Sequence, residues 1–90
     1  MHGGALYFPS MTVTVLLFAS YADAFGRDAL TIELPAQATV AHALDAVRAW
    51  NGGDRLPPRP AVAVNERYAG LDDPLSGGDE VAIIPPVAGG

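Results

Sequence analysis

The residues with the clearest chemical handle lie at the end of the chain, in Pro85-Pro86-Val87-Ala88-Gly89-Gly90. The two prolines fix φ and donate no backbone N–H, so this stretch leaves the preceding strand extended and does not prolong a sheet. Two glycines strip side-chain bulk from the terminal carboxylate, and a narrow tunnel in another protein could admit that end where any Cβ would clash. A carboxylate is a poor electrophile. Condensed with ATP it becomes an activated acyl-adenylate, which a sulfur donor converts to a thiocarboxylate. The chain has no cysteine, which rules out disulfides, thiolate metal sites and a thiol nucleophile. A thiocarboxylate carries sulfur without one. Many chains end in glycines that do nothing; the rigid lead-in directly after a strand is what sets this end apart.

No other group of residues assembles a site. His42 and Asp45 have helical spacing that could hold a metal, yet no third or fourth ligand accompanies them, so a solvated helix face is expected and no metal site is assigned. Asp72-Asp73 beside Pro74 and Gly77-Gly78 reads as turn chemistry. The histidines number two, His2 and His42, and no serine–histidine–acid set can be formed. Gly52-Gly53 and Gly77-Gly78 lack the strand-to-helix context of phosphate-binding loops.

The composition sets further bounds. Ninety residues make one domain at most, and an apolar content of 50% permits a packed core. The basic residues are five scattered arginines, Arg27, Arg48, Arg55, Arg59 and Arg67, against ten acids, for a net charge of −5. Nucleic-acid surfaces need clustered positive charge, so none is expected; a partner with a basic docking face is permitted. The apolar run from Val13 to Ala19 is too short to cross a bilayer, and a cytoplasmic protein with no membrane partner is the default. Residues 1–10 read as an N-terminal extension, vector-derived or from an upstream start, residues 11–84 as the folded domain, and residues 85–90 as the extended tail.

The elements that must position the tail follow from periodicity. Thr12 to Phe18 alternates as a strand, with Val13, Val15 and Leu17 on one face and Thr12, Thr14, Leu16 and Phe18 on the other. Tyr21 to Phe25 reads as one helical turn ended by Gly26, and Ala29 to Leu34 as a second strand stopped by Pro35. Thr39 to Trp50 is the main helix: Thr39 caps it, and Val40, Leu44 and Val47 form the apolar stripe, flanked by Ala43 and by Trp50, which is expected to pack the helix end onto the sheet. His42, Asp45 and Arg48 fall on the polar side, where neighbours three apart can pair. Asp54 to Pro60 is a proline-rich loop. Ala61 to Asn65, a short strand near Tyr68, and Glu80 to Ile84 complete the set, with Val62, Val64, Val81 and Ile83 inward. One helix on one face of a mixed sheet, with a hairpin, a crossing helix and strands returning beside the first, gives an α+β fold of the β-grasp type.

The segment from Asp73 to Gly90 (DPLSGGDEVAIIPPVAGG) resembles the C-terminal signature of the molybdopterin synthase small subunits, a PL-x-x-GDEVA turn and strand, two large apolar residues, PPV and a terminal GG. Val13 to Ala19 is similar to the family's first strand and Ala63-Val64-Asn65 to its middle strand, so the resemblance spans Met11 to Gly90. Related thiamine-pathway carriers share the GG but usually lack the PPV lead-in.

The resemblance implies that Gly90 is adenylated by an E1-like activating enzyme using ATP, receives sulfur from a donor, and becomes a 1-thioglycine. It implies that Pro85, Pro86, Val87, Ala88 and Gly89 carry the loaded end into the large subunit of a heterotetrameric synthase. There sulfur passes to cyclic pyranopterin monophosphate to form the molybdopterin dithiolene. The chain would then be a non-catalytic donor subunit with no bound cofactor. Phe18, Tyr68 and Ile84 occupy positions where the family packs apolar residues against both partners; Ala22 departs from relatives that carry arginine there. Three alternatives remain: a carrier for thiamine or another pathway, a ubiquitin-like modifier joined through Gly90 to lysines, and an interaction domain with an inert tail.

Overall fold

The computed structural model describes residues 10–86. Strand β1 (Ser10–Leu17) leads into helix α1 (Ala19–Phe25), strand β2 (Ala29–Pro35) and helix α2 (Val40–Arg48). A 3-10 turn (Gly53–Arg55) and the strands β3 (Ala61–Val64), β4 (Arg67–Ala69) and β5 (Glu80–Ile84) follow. The five strands form one mixed sheet in the order β2-β1-β5-β3-β4. β1 and β5 are parallel neighbours, and the other pairs are antiparallel. This is the β-grasp arrangement expected from the element order.

Alternation decides which face is dry. Val13, Val15, Leu17, Leu30, Ile32, Leu34, Val62, Val81 and Ile83 are buried and meet Val40, Ala43, Leu44 and Val47 of α2 in a single core. Each of these valine, leucine and isoleucine side chains removed from water contributes about 1.5–3 kcal/mol before the entropy of ordering it is counted. Val64, the other inward residue of β3, is half-buried and packs at the edge of this cluster.

Helix α2 starts where Thr39 predicts. The His42 ring closes the first turn, with Nδ1 accepting from the Thr39 N–H at 2.9 Å. The N–H groups of Val40 and Ala41, which have no partner within the helix, donate to the carbonyls of Asp73 and Leu71 at 3.0 Å each. Leu75 N–H returns to the Ala38 carbonyl at 2.9 Å. The loop before β5 is therefore tied to the helix start, and the Asp73 carboxylate closes the same loop by accepting from the Gly70 N–H at 2.9 Å. Asp73 is turn chemistry, as read.

Two expectations about α2 are corrected. The helix stops at Arg48, with Ala49 as its C-cap, so Trp50 lies in the turn beyond. That ring is 37% exposed, with the Arg27 guanidinium 5.4 Å from its centroid, and does not seal the helix onto the sheet. Arg48 likewise does not stay on the helix surface. Its guanidinium donates to the carbonyls of Leu56, Pro57 and Pro58 at 3.3, 2.8 and 2.9 Å. A loop with three prolines has few N–H groups to bond its own carbonyls, and the arginine supplies the donors.

Helix α1 is longer than the single turn read from the sequence. It ends at Gly26, whose φ of 73° is the left-handed cap geometry. Among the described residues, no helix is long and apolar enough to cross a membrane.

Candidate functional site

The tail leaves the sheet at the C-terminal end of β5, the central strand between β1 and β3. Ile83, fully buried, anchors the exit. Ile84 and Pro85 are half-buried and Pro86 is exposed. Val87, Ala88, Gly89 and Gly90, which carry most of the proposed chemistry, lie outside the described residues.

The face of the sheet away from α2 is apolar along one complete row. Register places Ala29, Leu16, Ala82, Ala63 and Tyr68 side by side across all five strands. Two alanines, Ala82 and Ala63, leave a shallow surface between Leu16, half-buried, and Tyr68, 81% exposed. The next row pairs Ile84 with Ala61. The β1–β5 register, continued one residue past Leu17 and Ile83, brings Phe18 level with Ile84. Phe18 itself stands just outside β1 as the N-cap of α1 and is 45% exposed. Phe18, Tyr68 and Ile84 thus flank one open surface at the tail end of the sheet. Alternation assigns Leu16 and Phe18 to this face and, with Val81 and Ile83 inward, Ala82 and Ile84 of β5 as well; strand register lines them up in rows and brings Ala63 and Tyr68 beside them.

A groove of about 280 Å³ lies at the root of the tail, where Tyr21 of α1, Pro57, Arg59 and Pro60 of the proline loop, and Ile84 and Pro85 come together. Sequence spacing gives no sign of it, because its walls come from three separate segments. Among the described residues, no group of three or more histidine and acidic side chains could hold a metal ion.

The ThiS family model matches residues 15–90 of the chain. The chain belongs to the ThiS family. It is a ubiquitin-like sulfur carrier of the ThiS type, and the relatives below match it over most of its length. It is 35% identical to the molybdopterin synthase sulfur carrier subunit of Escherichia coli over 85 residues, covering 87% of this chain and 99% of that one. It is 32% identical to small archaeal modifier protein 1 of Haloferax volcanii over 83 residues, covering 82% of this chain and 95% of the relative. The crystal structure of that modifier superposes with a TM-score of 0.78 at 31% identity, covering 88% of this chain and 99% of the other. A ubiquitin from Caldiarchaeum subterraneum superposes with a TM-score of 0.64 at 20% identity, covering 91% of this chain and 100% of that one, and shows the shared fold alone. The β-grasp expectation and the resemblance to sulfur-carrier subunits both hold.

Proposed function

We propose that this ThiS-family chain is the sulfur-carrier subunit of a molybdopterin synthase, with Gly90 as the sulfur-bearing residue. The observation that carries this reading is the match to molybdopterin synthase sulfur carrier subunits over nearly the full length of both proteins. In the proposed cycle an E1-like enzyme joins the Gly90 carboxylate to the AMP part of ATP, releasing pyrophosphate. A hydrosulfide equivalent from the sulfur donor then attacks the acyl carbon and displaces AMP, leaving the thiocarboxylate. The loaded tail enters the large subunit, which supplies the acid–base groups that this chain does not assemble, and sulfur passes to cyclic pyranopterin monophosphate. The fold supports the cycle in two ways. β5 is tied into the centre of the sheet, so the tail has a fixed origin, and the apolar open face beside it offers a docking surface without unfolding.

The test is the intact mass of the chain after incubation with ATP, the cognate E1-like enzyme and a sulfur donor. A gain equal to one oxygen replaced by sulfur, located on the Gly89-Gly90 peptide, is the expected result. No gain with an enzyme verified as active would sink the reading, and a chain lacking Gly90 should fold normally yet take up no sulfur.

A second reading is favoured by the likeness to small archaeal modifier protein 1: attachment through Gly90 to lysines of other proteins. Activation would be the same, and the acceptor amine would displace AMP to form an isopeptide. The chain's basic residues are all arginine, so its own copies offer no lysine acceptor. Isopeptide-linked adducts in cell extract would establish this role.

A further inference from the structure

The groove at the tail root is more than a gap between elements. Its floor and walls are apolar, with Pro57, Pro60, Ile84 and Pro85 facing it. Its outer wall is fixed in advance, because Arg48 holds the carbonyls of Leu56, Pro57 and Pro58 and each proline has one soft torsion fewer. A surface held in its binding shape loses less entropy on docking.

Two polar groups on this surface have no side-chain hydrogen-bond partner among the described residues. Tyr21 is only 5% exposed and lines the groove. Its hydroxyl takes part in no side-chain hydrogen bond found among the described residues. Leaving such a group unsatisfied when buried is unfavourable, and a partner that supplies an acceptor removes the cost. Arg59 lines the rim, is exposed, and is likewise absent from those hydrogen bonds. A guanidinium and a hydroxyl with no partner among the described residues, beside an apolar slot, form a consistent demand: an apolar side chain to fill the slot and a carboxylate at its edge.

We propose that this groove seats an apolar side chain of the protein that receives the tail, beside a carboxylate of the same partner that pairs with Arg59 and accepts from the Tyr21 hydroxyl. The proposal rests on the sulfur-carrier reading for the identity of that partner, the synthase large subunit. Continuity supports the assignment. Pro85 and Pro86 wall the groove and also begin the tail, so a protein that draws in the tail passes directly over it. The contact would set the angle at which the tail enters, acting separately from the open sheet face.

The experiment measures binding of the full chain to the cognate large subunit by calorimetry at low and moderate salt. Arg59→Glu and Tyr21→Phe are the test variants. Arg67→Glu makes the same charge change at the start of β4, paired with Val64 near the far end of the sheet, and serves as control. Arg59→Glu should weaken binding about tenfold or more at low salt and lose most of the salt dependence. Tyr21→Phe should weaken it several-fold and Arg67→Glu by less than about twofold; both arginine variants should keep the wild-type melting temperature, and Tyr21→Phe should melt no lower than wild type, since it removes a buried hydroxyl without a partner. Replacing one acidic residue of the large subunit by lysine should restore binding of Arg59→Glu. Equal effects of Arg59→Glu and Arg67→Glu would overturn the proposal. So would self-association of the chain that Arg59→Glu abolishes, because a second copy would then be the occupant. Wild-type chain that neither binds the large subunit nor accepts sulfur would remove the sulfur-carrier reading itself; wild-type binding with insensitive variants removes the groove alone.

Discussion

Asn65 donates through Nδ2 to Oδ1 of Asp79 at 3.0 Å, joining the turn after β3 to the residue just before β5. The same amide accepts from the Glu80 N–H through Oδ1 at 3.0 Å, and its own N–H donates to the Glu80 carbonyl at 2.8 Å. The second Asp79 oxygen accepts from the Ser76 N–H at 2.7 Å. These bonds fix where β5 begins, and β5 in turn aims the tail.

Asn65→Ala should therefore destabilise the fold by about 2 kcal/mol, since it removes two side-chain bonds and leaves the Glu80 N–H without its acceptor. Asn65 also has φ of 50°, a left-handed geometry that asparagine tolerates better than alanine. Urea unfolding of both proteins measures the change. An unaltered midpoint would show that the junction is held by the backbone ladder alone.

Glu66 follows with φ of 71°. Positive φ at both central residues defines the tight primed turn that matches strand twist, where Asn-Gly is the favoured pair. Glutamate at the second position is strained. Glu66→Gly should raise stability by roughly 0.5–1 kcal/mol, because the relief of left-handed strain outweighs the added freedom of the unfolded chain. A lower denaturation midpoint would indicate that the Glu66 side chain contributes more than its backbone costs.

Much of this architecture is legible in the sequence where one face must be dry. Val13, Val15, Leu17, Val81 and Ile83 alternate without exception, and Val40, Leu44 and Val47 keep helical spacing, so strand faces and the helix stripe follow from burial alone. Trp50 misleads because it lies three residues past Val47 and extends the stripe by count, although the chain has already turned. Arg48 misleads for a different reason: its partners are carbonyls of a loop eight to ten residues on, and local spacing carries no information about them. The groove behind Tyr21 has the same origin. Of the candidate site, the tail and the ends of the open face are readable from residue types, while the row through Leu16, Ala82 and Ala63 needs the strand register.

Gly52-Gly53 illustrates a further kind of hidden constraint. The sequence shows only a glycine pair beyond the main helix with no phosphate-loop context, yet Gly53 is buried, and a Cβ there would overlap the backbone of Arg48. Gly53→Ala should cost about 3 kcal/mol, because the 3-10 turn would have to back away from the end of α2. The displacement would also loosen the Arg48 clamp on the proline loop. Thermal unfolding reads the loss directly, and hydrogen exchange at the Leu56 amide, which donates to the Gly53 carbonyl at 3.2 Å, should accelerate. A variant as stable as wild type would show that this junction has room the geometry does not reveal.

The open sheet face makes the last prediction, and it separates stability from binding. Tyr68 is 81% exposed on the three-residue edge strand β4, so its ring contributes little to the core. Tyr68→Glu should change folding stability by less than about 0.5 kcal/mol, the usual range for surface positions. If the row from Leu16 to Tyr68 is where the large subunit docks, the same substitution places a charge against an apolar patch. Binding should then weaken at least about tenfold, as when an interface aromatic is lost. Leu16 lies in the same row two strands from β3, and Leu16→Glu should weaken binding similarly while also costing some stability, since Leu16 is half-buried. Unchanged affinity in Tyr68→Glu, with the fold intact, would move the docking surface off this row and leave the tail and its root as the contact.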